Sequence, residues 1–202
     1  MKLYYSPGAC SLSPTIVARE AGLPLDLVKV NLKTGTLADG SDFTAINDKG
    51  YVPVLELDDG QRLTEGPVIV QYLADHQPAA ELAPPAGSME RYRLQEWLNF
   101  ITSEIHKQFS PLFDPATSAD WQQAARAALA RRFDWISTQL SGKSYLLGER
   151  FTVADAYLFT VLNWSQWTGI DLARWPVLQD YVARIAARPK VQEALRAEGL
   201  LK

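Results

Sequence analysis

Residues 77–87 read Gln77-Pro78-Ala79-Ala80-Glu81-Leu82-Ala83-Pro84-Pro85-Ala86-Gly87. Three prolines and a glycine in so short a stretch cannot continue a helix, because each proline lacks the N–H and crowds the preceding turn. The chain changes character across this break. All six tryptophans, from Trp97 to Trp175, follow it, and every candidate strand precedes it. The stretch therefore reads as a linker between two domains, residues 1–80 and residues 88–202. A chain of 202 residues, 47% of them hydrophobic, has enough material for a core on each side.

The first domain alternates strand and helix. Residues 2–5 are short and β-prone, and a Ser-Pro-Gly-Ala loop follows them. Ser13-Pro14 predicts an N-cap with proline at the first helical position, and Gly22 predicts the stop. Residues 25–31 form the next strand candidate and residues 42–46 a short helix. Residues 54–57 and 62–64 flank Asp58-Asp59-Gly60, a turn sequence suited to a hairpin. A closing helix is expected over residues 67–76, with Val68, Ile69, Tyr72 and Leu73 turned inward and His76 as its C-terminal cap. The order β-α-β-α-β-β-α is that of a thioredoxin-like domain.

Beyond the linker only helical periods remain. Tyr92, Leu94, Trp97, Leu98, Ile101, Ile105 and Phe109 recur mainly at three- and four-residue steps, and Leu129, Phe133, Ile136 and Leu140 do so throughout. Thr152-Val153-Ala154-Asp155 has the form of a capping box, and Pro176 and Pro189 each open a further helix. The expected fold is a thioredoxin-like α/β domain followed by an all-helical C-terminal bundle.

Several function classes recede on composition. With 20 basic and 23 acidic side chains the net charge is −3, so no broad basic face is available for nucleic acid. No apolar run is long enough to cross a membrane, and the opening Met-Lys-Leu-Tyr-Tyr-Ser-Pro is too polar for a signal peptide. The expected location is the cytoplasm. A single cysteine, Cys10, permits no internal disulfide, and no histidine or cysteine spacing suggests a metal.

Cys10 is the first candidate for chemistry. It falls in the loop after the first strand, three residues before the expected N-cap, where unpaired N–H groups and the helix dipole favour a thiolate. The competing reading is a small buried hydrophobe. Its motif, Cys10-Ser11-Leu12-Ser13, is a C-x-x-S, so disulfide chemistry needs an external thiol such as glutathione. Asn99, Ser103 and His106, with Glu96 one step earlier, stack a polar stripe on one face of an otherwise apolar helix. Val52-Pro53 either exposes a backbone pair through a cis bond or simply starts a strand. Thr64-Glu65-Gly66 sits at a helix N-terminus, suited to carboxylates, with Glu65 placed for an ammonium group.

In combination these stretches resemble the cytosolic glutathione S-transferases, most closely the bacterial beta class. The resemblance runs through residues 2–14, then Lys49-Gly50-Tyr51-Val52-Pro53-Val54-Leu55, Leu63-Thr64-Glu65-Gly66 and Ile69-Val70-Gln71-Tyr72-Leu73-Ala74-Asp75. It continues through Glu96-Trp97-Leu98-Asn99-Phe100, Glu104-Ile105-His106-Lys107 and residues 151–159. It implies an enzyme that binds reduced glutathione and conjugates its thiolate to small apolar electrophiles. It implies that Cys10 faces the glutathione sulfur and can form a mixed disulfide with it. Val52, with cis Pro53, pairs with the cysteinyl part, and Glu65 and Gly66 hold the γ-glutamyl end. Asn99, Ser103 and His106 line the site, with Tyr5, Ser11 and Lys107 as accessory positions. Residues 152–155 are implied to be a folding motif. The family further implies a homodimer, glutathione as co-substrate and no metal.

Two departures stand out. The lysine that reaches the glycine carboxylate in close members is replaced by Gly35, with Lys33 nearby, and the common Asn-Pro-Lys-Gly loop reads Asn47-Asp48-Lys49-Gly50. Two other functions compete with conjugation. One uses Cys10 as nucleophile in glutathione-dependent thiol transfer, peroxide reduction or reductive dehalogenation. The other is a non-enzymatic, ligand-binding member of the fold.

Overall fold

A computed structural model describes residues 1–201. The chain divides into two compact units. One comprises Met1–Ala83 together with the segment from Arg188 onward, and the other is Pro84–Ala187. The first boundary falls inside the proline-rich linker. The second differs from the sequence reading, which placed everything after residue 88 in the helical domain.

The first unit is built on a five-stranded mixed sheet. Strand β1 (Lys2–Tyr5) leads through the loop containing Cys10 into helix α1 (Leu12–Ala21) and then β2 (Asp26–Asn31), which pairs parallel to β1. A two-residue strand β3 (Thr36–Leu37) follows, then β4 (Val54–Glu56) and β5 (Arg62–Thr64). The sheet order is β3-β2-β1-β4-β5, with β4 antiparallel to β1 and to β5. Leu3, Val54 and Leu55 are fully buried at its centre, as a strand covered on both sides requires. Gly60 (φ 85) closes the β4–β5 turn by donating its N–H to the Leu57 carbonyl. Helix α2 (Gly66–His76) ends the α/β layer.

Four expectations are corrected here. Helix α1 starts at Leu12, so Ser11 holds the N-cap position and Pro14 lies in the first turn. Proline is tolerated there because that N–H has no intrahelical acceptor. The helix expected over residues 42–46 is a single 3-10 turn, Phe43–Ala45, capped by the Asp42 carboxylate, and β3 precedes it. On α2, Val68 is exposed and Tyr72 only half-buried, while Val70 and Ala74 join Ile69 and Leu73 inside. The His76 ring packs on Tyr72 instead of capping, and Gln77 occupies the cap position.

The second unit is helical throughout. Helix α3 (Met89–Phe100), capped by the Ser88 hydroxyl, passes through a π-helical turn (Ile101–His106) into α4 (Lys107–Phe113). Then come α5 (Ala119–Leu140), α6 (Val153–Leu162), the short α7 (Ser165–Thr168) and α8 (Pro176–Ala186). Leu94, Leu98, Ile101, Ile105 and Phe109 are buried, as are Leu129, Phe133, Ile136 and Leu140. The periodic residues thus form this core, apart from exposed Tyr92 and half-buried Trp97. Every residue of α6 is buried, which marks a central helix. The residues 152–155 capping box is formed at its start. Helix α9 (Pro189–Ala197) returns to the first unit and packs on α1, where Arg188 and Glu20 make a two-pronged ion pair at 2.7 and 2.8 Å.

Candidate active site

In the first unit the loop after β1 folds on its own backbone. The Ala9 N–H donates to the Ser6 carbonyl at 3.0 Å, and the Ser11 hydroxyl accepts from the Ser6 N–H while donating to its carbonyl, both at 3.2 Å. Ser11 is fully buried, so its role is to hold this loop. Gly8 (φ 72) supplies the left-handed residue that the reversal needs. Cys10 therefore sits immediately before the helix N-cap, two positions closer than the sequence suggested. Ser13, inside α1, donates its hydroxyl to the Cys10 carbonyl at 2.9 Å. Cys10 is partly exposed, and its thiol donates to the Val52 carbonyl at 3.3 Å. This is not the buried hydrophobe of the competing reading.

The Val52–Pro53 peptide is cis. The β4–β5 register, Val54 opposite Thr64, brings Val52-Pro53 and Glu65-Gly66 to the same end of the hairpin. A methyl group built on Gly66 would lie 3.9 Å from Pro53 Cγ, so the two segments are near neighbours and space alone does not demand glycine there. Glu65 precedes α2 with φ 67, a left-handed conformation uncommon for a residue with a side chain and frequent at binding sites. Its carboxylate is exposed and takes Lys49 Nζ at 2.9 Å, and Lys49 also reaches the Thr64 hydroxyl at 3.1 Å. Thus Cys10, Val52, Pro53, Glu65 and Gly66 gather around one end of the sheet: a thiol, a backbone carbonyl, an exposed carboxylate and a helix N-terminus. Tyr5 instead belongs to the core, where burial and then the charge of Glu198 hold its phenol above the usual range.

The departures from the family pattern have local causes. Gly35 adopts φ 69, with its N–H on the Asn31 carbonyl and its own carbonyl taking the Phe43 N–H, both at 2.8 Å. A lysine at this turn would be strained. In the 47–50 loop Asn47 is buried, donating to the Tyr51 carbonyl at 2.7 Å and accepting from the Lys49 N–H. That side chain holds the turn without the usual proline.

The helical unit holds a second cluster. In the π-helical turn the N–H of Lys107 bonds five residues back, to Thr102. Such turns widen a helix and often accompany functional positions. Asn99 and Ser103 are exposed, and the Ser103 hydroxyl donates to the Asn99 carbonyl at 3.1 Å. His106 is half-buried, with Nδ1 2.7 Å from the Tyr157 hydroxyl and its ring edge-on to Trp164 at 4.8 Å. The Thr102 hydroxyl donates to the Leu98 carbonyl at 2.8 Å and lies 3.4 Å from the same tyrosine oxygen. The Tyr157 hydroxyl thus lies within reach of both the His106 ring nitrogen and the Thr102 oxygen, and fixes the imidazole by that contact. Lys107 is exposed.

Sequence reasoning missed Tyr157, Thr102 and Lys49 as neighbours of the named residues. Tyr157 carries a polar tip on an apolar body, and no sequence feature showed which group that tip would meet. Among the described residues no three metal-ligating side chains gather, and no helix is long and apolar enough to cross a membrane.

Comparison with known proteins decides the family. Residues 8–76 match the glutathione S-transferase N-terminal domain, and residues 100–189 match the C-terminal domain of the same enzymes. The chain is 46% identical to glutathione S-transferase GstA of Escherichia coli O157:H7, covering 99% of this chain and 100% of that protein. The chain belongs to the glutathione S-transferase family. Among solved structures, it is 48% identical to the bacterial beta-class transferase of Sphingomonas chungbukensis, with a TM-score of 0.96 and 100% of both chains covered. A sphingomonad glutathione S-transferase complexed with glutathione is 47% identical, with a TM-score of 0.95 over 99% of this chain and 100% of that one. The protein is accordingly a glutathione S-transferase similar to the beta class, with the thioredoxin-like and helical architecture expected from the sequence.

Proposed function

We propose that this transferase binds reduced glutathione at the sheet end of its first unit and conjugates the thiolate to small apolar electrophiles. The observation that supports this reading best is the meeting of Cys10, Val52-Pro53 and Glu65-Gly66. The glutathione γ-glutamyl carboxylate suits the N-terminus of α2, and its ammonium suits Glu65, which releases Lys49 to accept it. The cysteinyl backbone pairs with Val52, whose carbonyl already accepts one donor, the Cys10 thiol. The sulfur then lies toward the N-terminus of α1, where the dipole and nearby donors stabilise a thiolate and lower the barrier to its attack. By the family resemblance Asn99, Ser103 and His106 of the helical unit also act on glutathione. The same proposal includes the homodimer, a cytoplasmic setting and chemistry without a metal.

A second reading uses Cys10 itself, and the thiol's place beside the α1 N-terminus favours it. The Cys10 thiolate attacks the glutathione sulfur of a mixed disulfide, expels the other thiol and becomes glutathionylated. A second glutathione thiolate then attacks that sulfur, which regenerates Cys10 and releases oxidised glutathione. One comparison separates the two readings: the glutathione-dependent rate with 1-chloro-2,4-dinitrobenzene in the intact protein and in Cys10→Ala. Retention of most of the rate in the variant supports conjugation through glutathione alone. Loss of the rate moves the reaction onto Cys10, and loss of glutathione binding overturns both.

A further inference from the structure

Glu198, just beyond α9, is only 4% exposed. Its Oε2 accepts the Gly8 N–H at 3.0 Å, and its Oε1 accepts the Thr15 hydroxyl at 2.8 Å. Gly8 stands two residues before Cys10 in the loop, and Thr15 stands in α1, where its hydroxyl also lies 3.1 Å from the Ser11 carbonyl. One carboxylate thus grips the chain on both sides of Cys10, through partners that are neutral. Burial without a cation pushes its carboxyl up to about 7, the two hydrogen bonds offsetting part of that rise.

The Thr15 hydroxyl has one proton and two acceptors within reach. When Glu198 is ionised, Thr15 donates to it. When Glu198 is protonated, the carboxyl donates to Thr15 Oγ1 and Thr15 turns its proton to the Ser11 carbonyl. The grip on the loop survives in both states, and only the charge changes. Among ionisable groups on the packed elements, β1 offers Tyr5, which the Glu198 charge raises, as well as Lys2 and Tyr4, which both reach Glu56. Helix α1 offers Arg19 and Glu20, the latter bound to Arg188, and α9 offers Arg196 and the Lys190–Glu193 pair. The loop offers Cys10.

We propose that Glu198 is a positioning residue for the Cys10 thiol, so that the end of the chain holds the thiol loop and passes its own charge state to it. This rests on Cys10 being a working thiol of the site. The test is the pH profile of Cys10 alkylation by iodoacetamide, which needs no glutathione and so answers even if the glutathione reading fails. A charge within about 10 Å, at an effective dielectric near 20–30, moves a neighbouring midpoint by about 1 pH unit. Wild type is expected to show a broadened titration with an inflection near the Glu198 midpoint. Glu198→Gln keeps both hydrogen bonds through its amide, so it is expected to give a single titration about 1 unit lower with an unchanged limiting rate. Glu198→Ala frees the loop, and its limiting rate at high pH is expected to rise about fivefold. Superimposable wild-type and Glu198→Gln profiles would overturn the charge coupling, and this comparison suffices if the alanine variant does not fold. A Glu198→Ala limiting rate equal to wild type would overturn the positioning.

Discussion

Asp155 offers a test of the helical unit in which the structure fixes the size of the effect. Fully buried at the start of α6, its carboxylate accepts four hydrogen bonds: the Leu146 and Thr152 N–H groups and the Tyr181 hydroxyl at 2.8 Å, and the Thr152 hydroxyl at 2.9 Å. Burial pushes its carboxyl up, and these donors pull the other way. Asp155→Ala strands two backbone N–H groups that cannot turn elsewhere, at about 1–3 kcal/mol each, and removes a helix cap worth about 1 kcal/mol. The total is about 3–7 kcal/mol, a large part of the roughly 5–15 kcal/mol that holds a protein folded. Asp155→Asn keeps one acceptor, but its amide must face either the Leu146 or the Thr152 N–H, so a single clash costs about 2 kcal/mol. Urea unfolding is expected to rank wild type above asparagine and asparagine above alanine, with similar slopes. An alanine variant within about 1 kcal/mol of wild type would refute the assignment of this network as the keystone of α6.

Three further outcomes follow from other residues. Glu198 keeps its proton up to about 7 in the fold, against 4.5 ordinarily, so the folded state binds more protons between those values and stability falls as pH rises. Thermal melts at pH 5 and pH 8 should show Glu198→Gln gaining on wild type by about 2.5 kcal/mol across that interval; a constant difference contradicts the linkage. Glu65→Gly relieves the φ 67 conformation, raising Tm by about 2–4 °C, yet raises the KM for glutathione tenfold or more; Glu65→Ala shares only the second effect. Tyr157→Phe removes the 2.7 Å bond to His106 Nδ1. Nitrogen NMR should then show a changed tautomer balance at His106, and an unchanged ring signature contradicts the orienting role.

Much of this was readable in the chain because each feature has a local physical cause. Gly60 needs a left-handed turn, Thr152 caps a helix, and Pro176 and Pro189 open two more. What escaped was what local rules leave degenerate. Steps of three and four from Leu98 to Ile105 fit a π-helical turn as well as an α-helix, so the widening beside His106 left no mark on the pattern. Pro14 is acceptable at more than one place in a first turn, which hid the true start of α1 and the closeness of Cys10 to it. Residues 36–37 are too few to show a strand's alternation. Tyr157 sits in a helix apolar on every side, so nothing separated a hydrogen-bonding ring from a packing one. Glu198 reads as one more solvated acid after an amphipathic helix, and its partners lie more than 180 residues away in the chain.

The central claim is that the protein activates the thiol of bound glutathione. Its most direct measurement is the ultraviolet absorbance of thiolate in the glutathione complex of Cys10→Ala, titrated with pH so that glutathione supplies the only thiol. Binding in this site should bring the midpoint at least about 1 unit below the ordinary thiol value near 8.5. A midpoint equal to that of free glutathione, with binding intact, would contradict activation by the site and leave Cys10 as the thiol that does the chemistry.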